Sequence, residues 1–485
     1  MNDLAEQALH GLDLARKQII RHPVASLTVG GFLAATVTMV AGGQIGASAS
    51  ATPLRSWFGL LPDNGTAGDA VAGTVMFGGI LALLLLWIVA VARLRPNACS
   101  ERQLWTLVGA WAAPFVLGPP LLSTDIYTFA GQGLLQRAGI DPYKHGPSAL
   151  GHHAIVNAID PTWRSVPSTS GPLGTLLEHL AVAITGGDAF GTVLVLRVLG
   201  LACLFAIGRL AGELAGPHRI PAIALTALNP ALLLYVVSSA HLDGVLVALL
   251  LGSLIASAQR RWLLALVLVC AAAATKPVAI AAVPAVLLAH CLGQRSHIAW
   301  RIAARDVAIA IACLAAFSFL VPDGLGWRHN FSSVTREHTP FAPASIVSDM
   351  IRWIVPSASF DDLAVGGRIA VVVAAVGIVI YLLVTMRARS LDRTIGYSLL
   401  AIGLLSPVLY PWYLLWGVVC LAPAAVGVRR DWVVALSCAA CVLIPAGFSS
   451  RVADTVTLVT LLVIAIVLLP TLYLHHQAQR RLTVG

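Results

Sequence analysis

The chain has 485 residues, 58% of them hydrophobic and 11% charged, with a net charge of +9 and a mean hydropathy of +0.85. Nearly every helix-length window is apolar enough to prefer lipid, which excludes a soluble enzyme and describes a polytopic membrane protein. The arginines cluster between apolar runs rather than along a face with interleaved aromatics, so the positive charge encodes orientation and not nucleic-acid binding.

In chain order, residues 1–22 carry Glu6, Asp13, Arg16, Lys17 and Arg21 and read as an amphipathic helix without a small-residue cleavage site. Runs such as TVMFGGILALLLLWIVAVA are continuously apolar with no period-2 alternation. That pattern rejects a β-barrel and leaves helices, whose backbone groups satisfy one another in hydrocarbon. The expected fold class is therefore all-α. Arginine clusters recur at 16–21, 93–102, 209–219, 260–261, 295–305, 387–393, 429–430 and 480–481, with room for two spans between neighbours. The spans are expected at 24–46, 71–94, 104–122, 189–209, 220–237, 242–258, 262–276, 278–293, 303–320, 366–386, 394–408, 411–427, 432–447 and 454–474. This makes about fourteen helices (roughly 12 to 15) with both termini cytoplasmic. The run GPLGTLLEHLAVAITGG from residue 171 breaks the parity if it crosses, so it is expected as a short re-entrant or interfacial helix. Two large loops, 123–188 and 321–366, then fall on the outer side, where any chemistry is expected.

The eight cysteines lie mainly in apolar runs, which argues against a disulfide framework, and the C-x-x-C pair Cys438 and Cys441 has no second pair to complete a metal site. Two of the three lysines, Lys144 and Lys276, fall on the outer side against the positive-inside trend. Both are also placed to snorkel at headgroups. In SSAHLDG, His241 and Asp243 join two apolar runs with almost no loop, although Asp243 also suits a helix N-cap. Arg328 and Arg336 supply cations in the second outer loop, beside histidines without a metal-binding spacing. Tyr410, Trp412 and Tyr413, followed by Trp416, surround two prolines; they read as an aromatic belt or as a stacking surface for a sugar ring.

LLSTDIYTFAGQG, residues 121–133, places Asp125 and the candidate substrate-binding residues Tyr127 and Gln132 after an apolar run, and DPYKHG adds Tyr143 to these candidates. Ser-Thr-Asp is a helix-capping sequence as well. The chain has no G-x-x-x-x-G-K-[ST] loop, no G-x-G-x-x-G after a strand and no D-x-D, so a nucleotide-driven enzyme is disfavoured. An isolated carboxylate, cations and aromatics on one face suggest an acceptor activated for attack on a phosphate-bearing lipid, with Asp125 as general base.

STDIYTFAGQGLLQRAGIDPYKHGPSAL (123–150), GPLGTLLEHL (171–180), LNPALLLYVVSSAHLDGVLVALLLG (228–252), TKP (275–277) and LSPVLYPWYLLWG (405–417) resemble the actinobacterial polyprenol-phosphomannose-dependent α-1,6-mannosyltransferases of the GT-C superfamily. The resemblance implies a GT-C module at 101–320 with outer loop 123–188. Two additional helices and the amphipathic segment would precede it in 1–100, and loop 321–366 with the C-terminal helices would follow in 321–485. It implies transfer of mannose from polyprenyl-phosphate mannose to a mannan or lipomannan acceptor outside the cytoplasmic membrane, with Asp125 at the family's catalytic aspartate position. Lys276, then Arg328 and Arg336, are the expected partners of the leaving phosphate, while His241 and Asp243 orient hydroxyls. No cofactor is expected, and a divalent ion is left open. The rival readings are a polyprenyl-lipid flippase or exporter, for which Arg197 is the main ionisable residue inside a span, and a GT-C transferase of another sugar such as arabinose.

Overall fold

Large apolar side chains point outward as well as inward along the helices, the arrangement of a chain solvated by lipid. On one helix Val365, Ile369, Val372, Val373, Val376, Ile380 and Val384 are all exposed. The computed structural model describes residues 23–44, 65–292, 294–330, 339, 342–355 and 360–443. Among these the secondary structure is entirely helical. The amphipathic segment 1–22, the span 454–474 and Arg336 lie outside the described residues.

Helices α1 (Pro23–Gly42), α2 (Gly65–Arg93) and α3 (Glu101–Leu117) pack together. Gly31 makes room for the Trp111 ring, since a Cβ there would lie 1.9 Å from the indole. The buried indole N–H groups find carbonyls: Trp111 Nε1 donates to Leu27 O at 2.9 Å, and Trp87 Nε1 to Ala224 O at 2.9 Å. The two N-terminal helices are thereby stitched into the bundle.

The first expected outer loop holds α4 (Asp125–Arg137), the short α5 (Ala154–Ala158) and α6 (Pro172–Thr185). Helices α4 and α6 cross at Gly133, where a Cβ would sit 2.3 Å from Glu178 O. Helix α6 ends at left-handed Gly186 (φ +68°). Its 14 residues span about 21 Å, short of a bilayer core of about 30 Å, which matches the short helix expected there. A second hydrophobic core, including Ile126, Phe129, Val182, Leu196 and Ala240, joins these helices to the rest.

Helix α7 (Ala189–Ala215) reverses at Gly216 (φ +55°) into α8 (Arg219–Thr226), and Cβ atoms at Gly208 and Gly212 would come within 2.8 Å of Ala227 and Arg219. Asn229 Oδ1 then accepts from Ala231 N at 3.0 Å, with Pro230 in the first turn, and starts the half-helix Pro230–Ser238. That half-helix meets α9 (Asp243–Ala258) at a bend of 118°. Residues Leu233–Ser238 are π-helical, a geometry common at functional sites. After α10 (Trp262–Thr275) a 3-10 turn leads into α11 (Val283–Cys291), followed by α12 (Ser296–Ser318), α13 (Pro343–Ile354), α14 (Phe360–Val384), α15 (Leu391–Leu404), α16 (Tyr413–Leu421) and α17 (Val428–Val442).

Four helical stretches have the length and hydropathy of a span: Pro23–Gly42, Val71–Arg93, Ala189–Thr226, whose first arm Ala189–Ala215 is 27 residues long before the reversal at Gly216, and Leu363–Val384, and the bent pair adds a fifth. Pro172–Thr185, Trp262–Thr275, Pro277–Cys291 and Tyr413–Ala424 are apolar but shorter. The described helices thus establish several membrane-type helices without establishing a count near fourteen. Prolines at 230, 277, 284, 411 and 423 divide or shorten the runs from which that count arose.

Candidate active site

Two turns, 118–125 and 238–243, meet at one end of the bundle. Leu122 (φ +60°) and Ala240 (φ +48°) are both left-handed, a conformation that costs non-glycine residues about 1–3 kcal/mol and persists where surrounding structure imposes it. The imposition is visible. Ser239 Oγ donates to Leu121 O at 2.5 Å, and Leu121 N donates to Ser238 Oγ at 3.2 Å. Beneath them the buried Arg197 of α7 donates through Nε to Ser238 O at 3.0 Å, and through Nη1 to Val116 O at 3.3 Å and to Gly118 O. A guanidinium at the carbonyl ends of α3 and the half-helix is favoured by their dipoles. Arg197 is thus occupied as a clamp beneath the turns.

These turns bring the sequence-identified carboxylates together. Asp125 and Asp243 are each the first residue of a helix, α4 and α9, where the helix dipole favours a carboxylate. Neither occupies the cap position, which falls to Thr124 and Leu242, and neither of those forms a side-chain capping bond. His241 Nδ1 lies 3.7 Å from Asp125 Oδ2 and 3.8 Å from Asp243 Oδ2. Asp243 is completely buried; its Oδ2 accepts from Lys276 Nζ at 2.5 Å, and its Oδ1 accepts from the Trp416 indole N–H. The Asp125 side chain is 30% exposed and that of Lys276 19%, whereas those of His241 and Asp243 are sealed. A ligand therefore reaches Asp125 and Lys276 first. Asp243 is an anchor for Lys276 and Trp416 rather than a surface for sugar hydroxyls.

Lys276 follows α10 in an extended conformation, before Pro277. Its turn is set by α6: Gly171 N donates to Thr275 O at 3.0 Å, and Cβ atoms at Gly171 and Gly174 would lie 2.2 Å from Ala274 O and 2.6 Å from Thr275 O. One turn beyond Gly174, buried Glu178 accepts from Ser170 Oγ at 2.7 Å. Burial pushes the Glu178 carboxyl up to about 8, against the lowering influence of the Ser170 hydroxyl and the Lys276 charge.

The aromatic stretch belongs to the same cluster. Trp412 stacks on His241 (4.1 Å between centroids, 29°) and on Tyr410 (4.7 Å, 7°), while Tyr413 stacks on Trp416 (4.2 Å). Tyr410, Trp412 and Trp416 are buried and Tyr413 half-buried. Their stacking is spent largely on one another and on His241, which makes them the wall that orients the histidine.

The remaining candidates lie elsewhere. Tyr127 is buried in the second core. Gln132 is buried and donates to Val166 O at 3.2 Å, bracing the first loop. The Tyr143 hydroxyl donates to Ser170 O at 3.1 Å and lies 3.0 Å from Thr175 Oγ1; burial raises it above its ordinary titration range. Lys144 pairs in the open with Asp141 (2.9 Å) and Asp323 (3.5 Å). Arg328 is exposed and bonded to His329 at 3.1 Å. Asn330 fastens the second loop to the first, donating to Tyr143 O at 3.0 Å and Ser168 O at 2.8 Å. Sequence reasoning passed over Glu178, whose signal was a lone carboxylate in the apolar run of α6, and the specific use of Trp416. Among the described residues no three His, Cys, Asp or Glu side chains group as a metal site.

Known proteins match this chain along most of its length. Residues 28–291, more than half of it, match the family model described as "Alpha-(1->6)-mannopyranosyltransferase, N-terminal domain", and residues 350–474 match "MptB C-terminal domain". The chain is 26% identical over 378 residues to alpha-(1->6)-mannopyranosyltransferase A of Mycobacterium tuberculosis, covering 74% of this chain and 72% of that one. It is 24% identical over 437 residues to a probable alpha-(1->6)-mannopyranosyltransferase of Mycolicibacterium smegmatis (81% and 78%). It is 26% identical over 384 residues to alpha-(1->6)-mannopyranosyltransferase B of Corynebacterium glutamicum (71% and 64%). No solved structure matches the chain. With its site residues inside the matched region and its apolar helices those of a membrane protein, the chain belongs to the alpha-(1->6)-mannopyranosyltransferase family.

Proposed function

We propose that the protein is an inverting mannosyltransferase of the cytoplasmic membrane, moving mannose from polyprenyl-phosphate mannose to an α-1,6-mannan or lipomannan acceptor on the extracytoplasmic face. The observation that carries this reading is the convergence of Asp125, His241, Asp243 and Lys276, from three separate turns, at one end of the bundle. Arg260 and Arg261 precede the opposite end of α10, and arginine-rich turns mark the cytoplasmic side of a membrane protein. That polarity supports an outward-facing site.

Asp125 takes the proton of the acceptor hydroxyl as its oxygen attacks the anomeric carbon in line, and polyprenyl phosphate departs from the opposite face. One displacement inverts the centre, so a β-linked donor yields an α-mannoside. Phosphate is a good leaving group and needs charge neutralisation more than a proton. Lys276, one of whose N–H groups is held by Asp243, keeps two for phosphate oxygens. The reaction written this way uses no cofactor. Arg197, the residue most favourable to a flippase, has its Nε and Nη1 engaged by three carbonyls beneath the turns.

The test supplies the purified protein in lipid with a short α-1,6-mannoside and, in parallel, radiolabelled polyprenyl-phosphate mannose, polyprenyl-phosphate arabinose and GDP-mannose. Transfer from polyprenyl-phosphate mannose alone supports the proposal. Transfer from GDP-mannose or the arabinose donor, with none from polyprenyl-phosphate mannose, overturns it.

A further inference from the structure

The imidazole of His241 is the least explained group in the site. Both ring nitrogens are buried without a hydrogen-bond partner, yet Nδ1 faces two carboxylates at nearly equal distances, 3.7 Å to Asp125 and 3.8 Å to Asp243. A lone pair directed at two negative oxygens would be repelled, so Nδ1 carries the proton. About 0.7 Å of movement separates either carboxylate from hydrogen-bonding range. The surroundings direct that movement. Trp412 stacks on the ring at 4.1 Å, and Phe129 and Tyr235 stand edge-on at 6.0 Å and 6.1 Å. A stacked ring slides in its plane more easily than it tilts, and sliding lets Nδ1 exchange one carboxylate for the other.

Resting on the proposed donor site at Lys276, we infer that His241 is a positioning residue shared between Asp125 and Asp243, and that a phosphate at Lys276 decides which carboxylate holds it. Without phosphate, Asp243 is compensated by Lys276 at 2.5 Å and by Trp416, so the pull on the Nδ1–H of His241 favours Asp125. An arriving phosphate draws the lysine's charge toward itself. Asp243 then loses part of its compensation and draws the Nδ1–H, which leaves Asp125 the stronger acceptor for the acceptor's hydroxyl. No proton changes owner. Lys276, Asp243, His241 and Asp125 thus form a chain that reports donor occupancy to the base. The base is strengthened toward the acceptor when a donor is present. Coupling between two binding sites is reciprocal, so each ligand must tighten the other by the same factor.

The experiment is calorimetric, on the full chain in lipid nanodiscs. A short α-1,6-mannoside is titrated with and without saturating short-chain polyprenyl phosphate, the unreactive product side of the reaction. In the wild type the phosphate is expected to tighten the mannoside about fivefold or more, and the mannoside to tighten the phosphate equally. His241→Asn places an amide N–H near the Nδ1 position and retains the coupling. His241→Gln places it near Nε2 and abolishes the coupling while phosphate still binds. Asp243→Asn provides an independent arm: an amide has little pull on the Nδ1–H, so coupling falls to one in that variant too. Coupling that persists in His241→Gln or Asp243→Asn, or that is missing in a wild type binding both ligands, overturns the inference alone. A wild type that does not bind polyprenyl phosphate overturns the donor reading, and the inference falls with it.

Discussion

Exchanging Asp243 for Asn and Lys276 for Met, singly and together, isolates the ion pair on which the site is built. The pair is 2.5 Å long, with the Asp243 side chain fully sealed and that of Lys276 19% exposed. Breaking a buried pair by removing one partner costs about 3–5 kcal/mol, because the survivor is left as an uncompensated buried charge. The two single variants are not equivalent. Lys276→Met strands a sealed carboxylate with only the Trp416 indole and the nearby His241 Nδ1–H to meet it, and about 3 kcal/mol is expected, at the lower end because the lysine is partly solvated. Asp243→Asn keeps an acceptor for Trp416 and leaves an ammonium that reaches solvent, so about 1–2 kcal/mol is expected. The double variant leaves neither charge stranded, so its loss falls short of the sum by about 2 kcal/mol. Reversible unfolding in mixed micelles, followed by tryptophan fluorescence, measures all four proteins. Losses that add to within about 0.5 kcal/mol refute the pair as a coupled buried unit.

Two further outcomes follow from the same geometry. Gly171→Ala would drive a Cβ to 2.2 Å from Ala274 O; a loss of about 1–3 kcal/mol is expected, with a fall in transfer rate because the Lys276 turn shifts, and wild-type melting and activity would contradict it. Glu178 has its folded-state carboxyl raised to about 8, chiefly by burial, so it holds its proton in the folded protein where the unfolded chain has lost it. Its contribution to stability is fully present below the ordinary carboxylate range and declines as pH rises toward 8, by up to about 1.4 kcal/mol per pH unit. Glu178→Gln removes that decline, which melting curves from pH 5 to 8.5 will show as a flatter profile than wild type; parallel profiles would assign the slope to other groups.

The all-helical class was legible because lipid leaves a chain few options: continuous apolarity excludes alternating strands, and backbone groups in hydrocarbon must pair within one element. Asp125, His241, Asp243 and Lys276 were legible for a related reason. A charged or polar group at the end of an apolar run carries a cost that invites a functional account. Their mutual contact was not legible, since Asp125 and His241 are brought together by strained turns and by the carbonyl clamp of Arg197. Gln132 and Tyr143 have the side chains of sugar ligands, and only their burial against Val166 and Ser170 shows them bracing a loop. Trp412 carries the converse lesson: its type suggested a sugar platform, but in the fold its stacked contacts are with His241 and Tyr410. The helix count was blurred by prolines, which shorten or bend apolar runs that hydropathy alone reads as whole spans.

The central claim is that Asp125 is the base of mannosyl transfer. Its most direct test compares purified wild type with Asp125→Asn in a lipid assay holding radiolabelled polyprenyl-phosphate mannose and a short α-1,6-mannoside, after equal folding and equal polyprenyl-phosphate binding are verified. The substitution preserves size and the helix start while removing the proton acceptor, so transfer is expected to fall at least about 10²-fold with phosphate binding intact. Transfer at the wild-type rate by a folded, phosphate-binding Asp125→Asn protein would contradict the account.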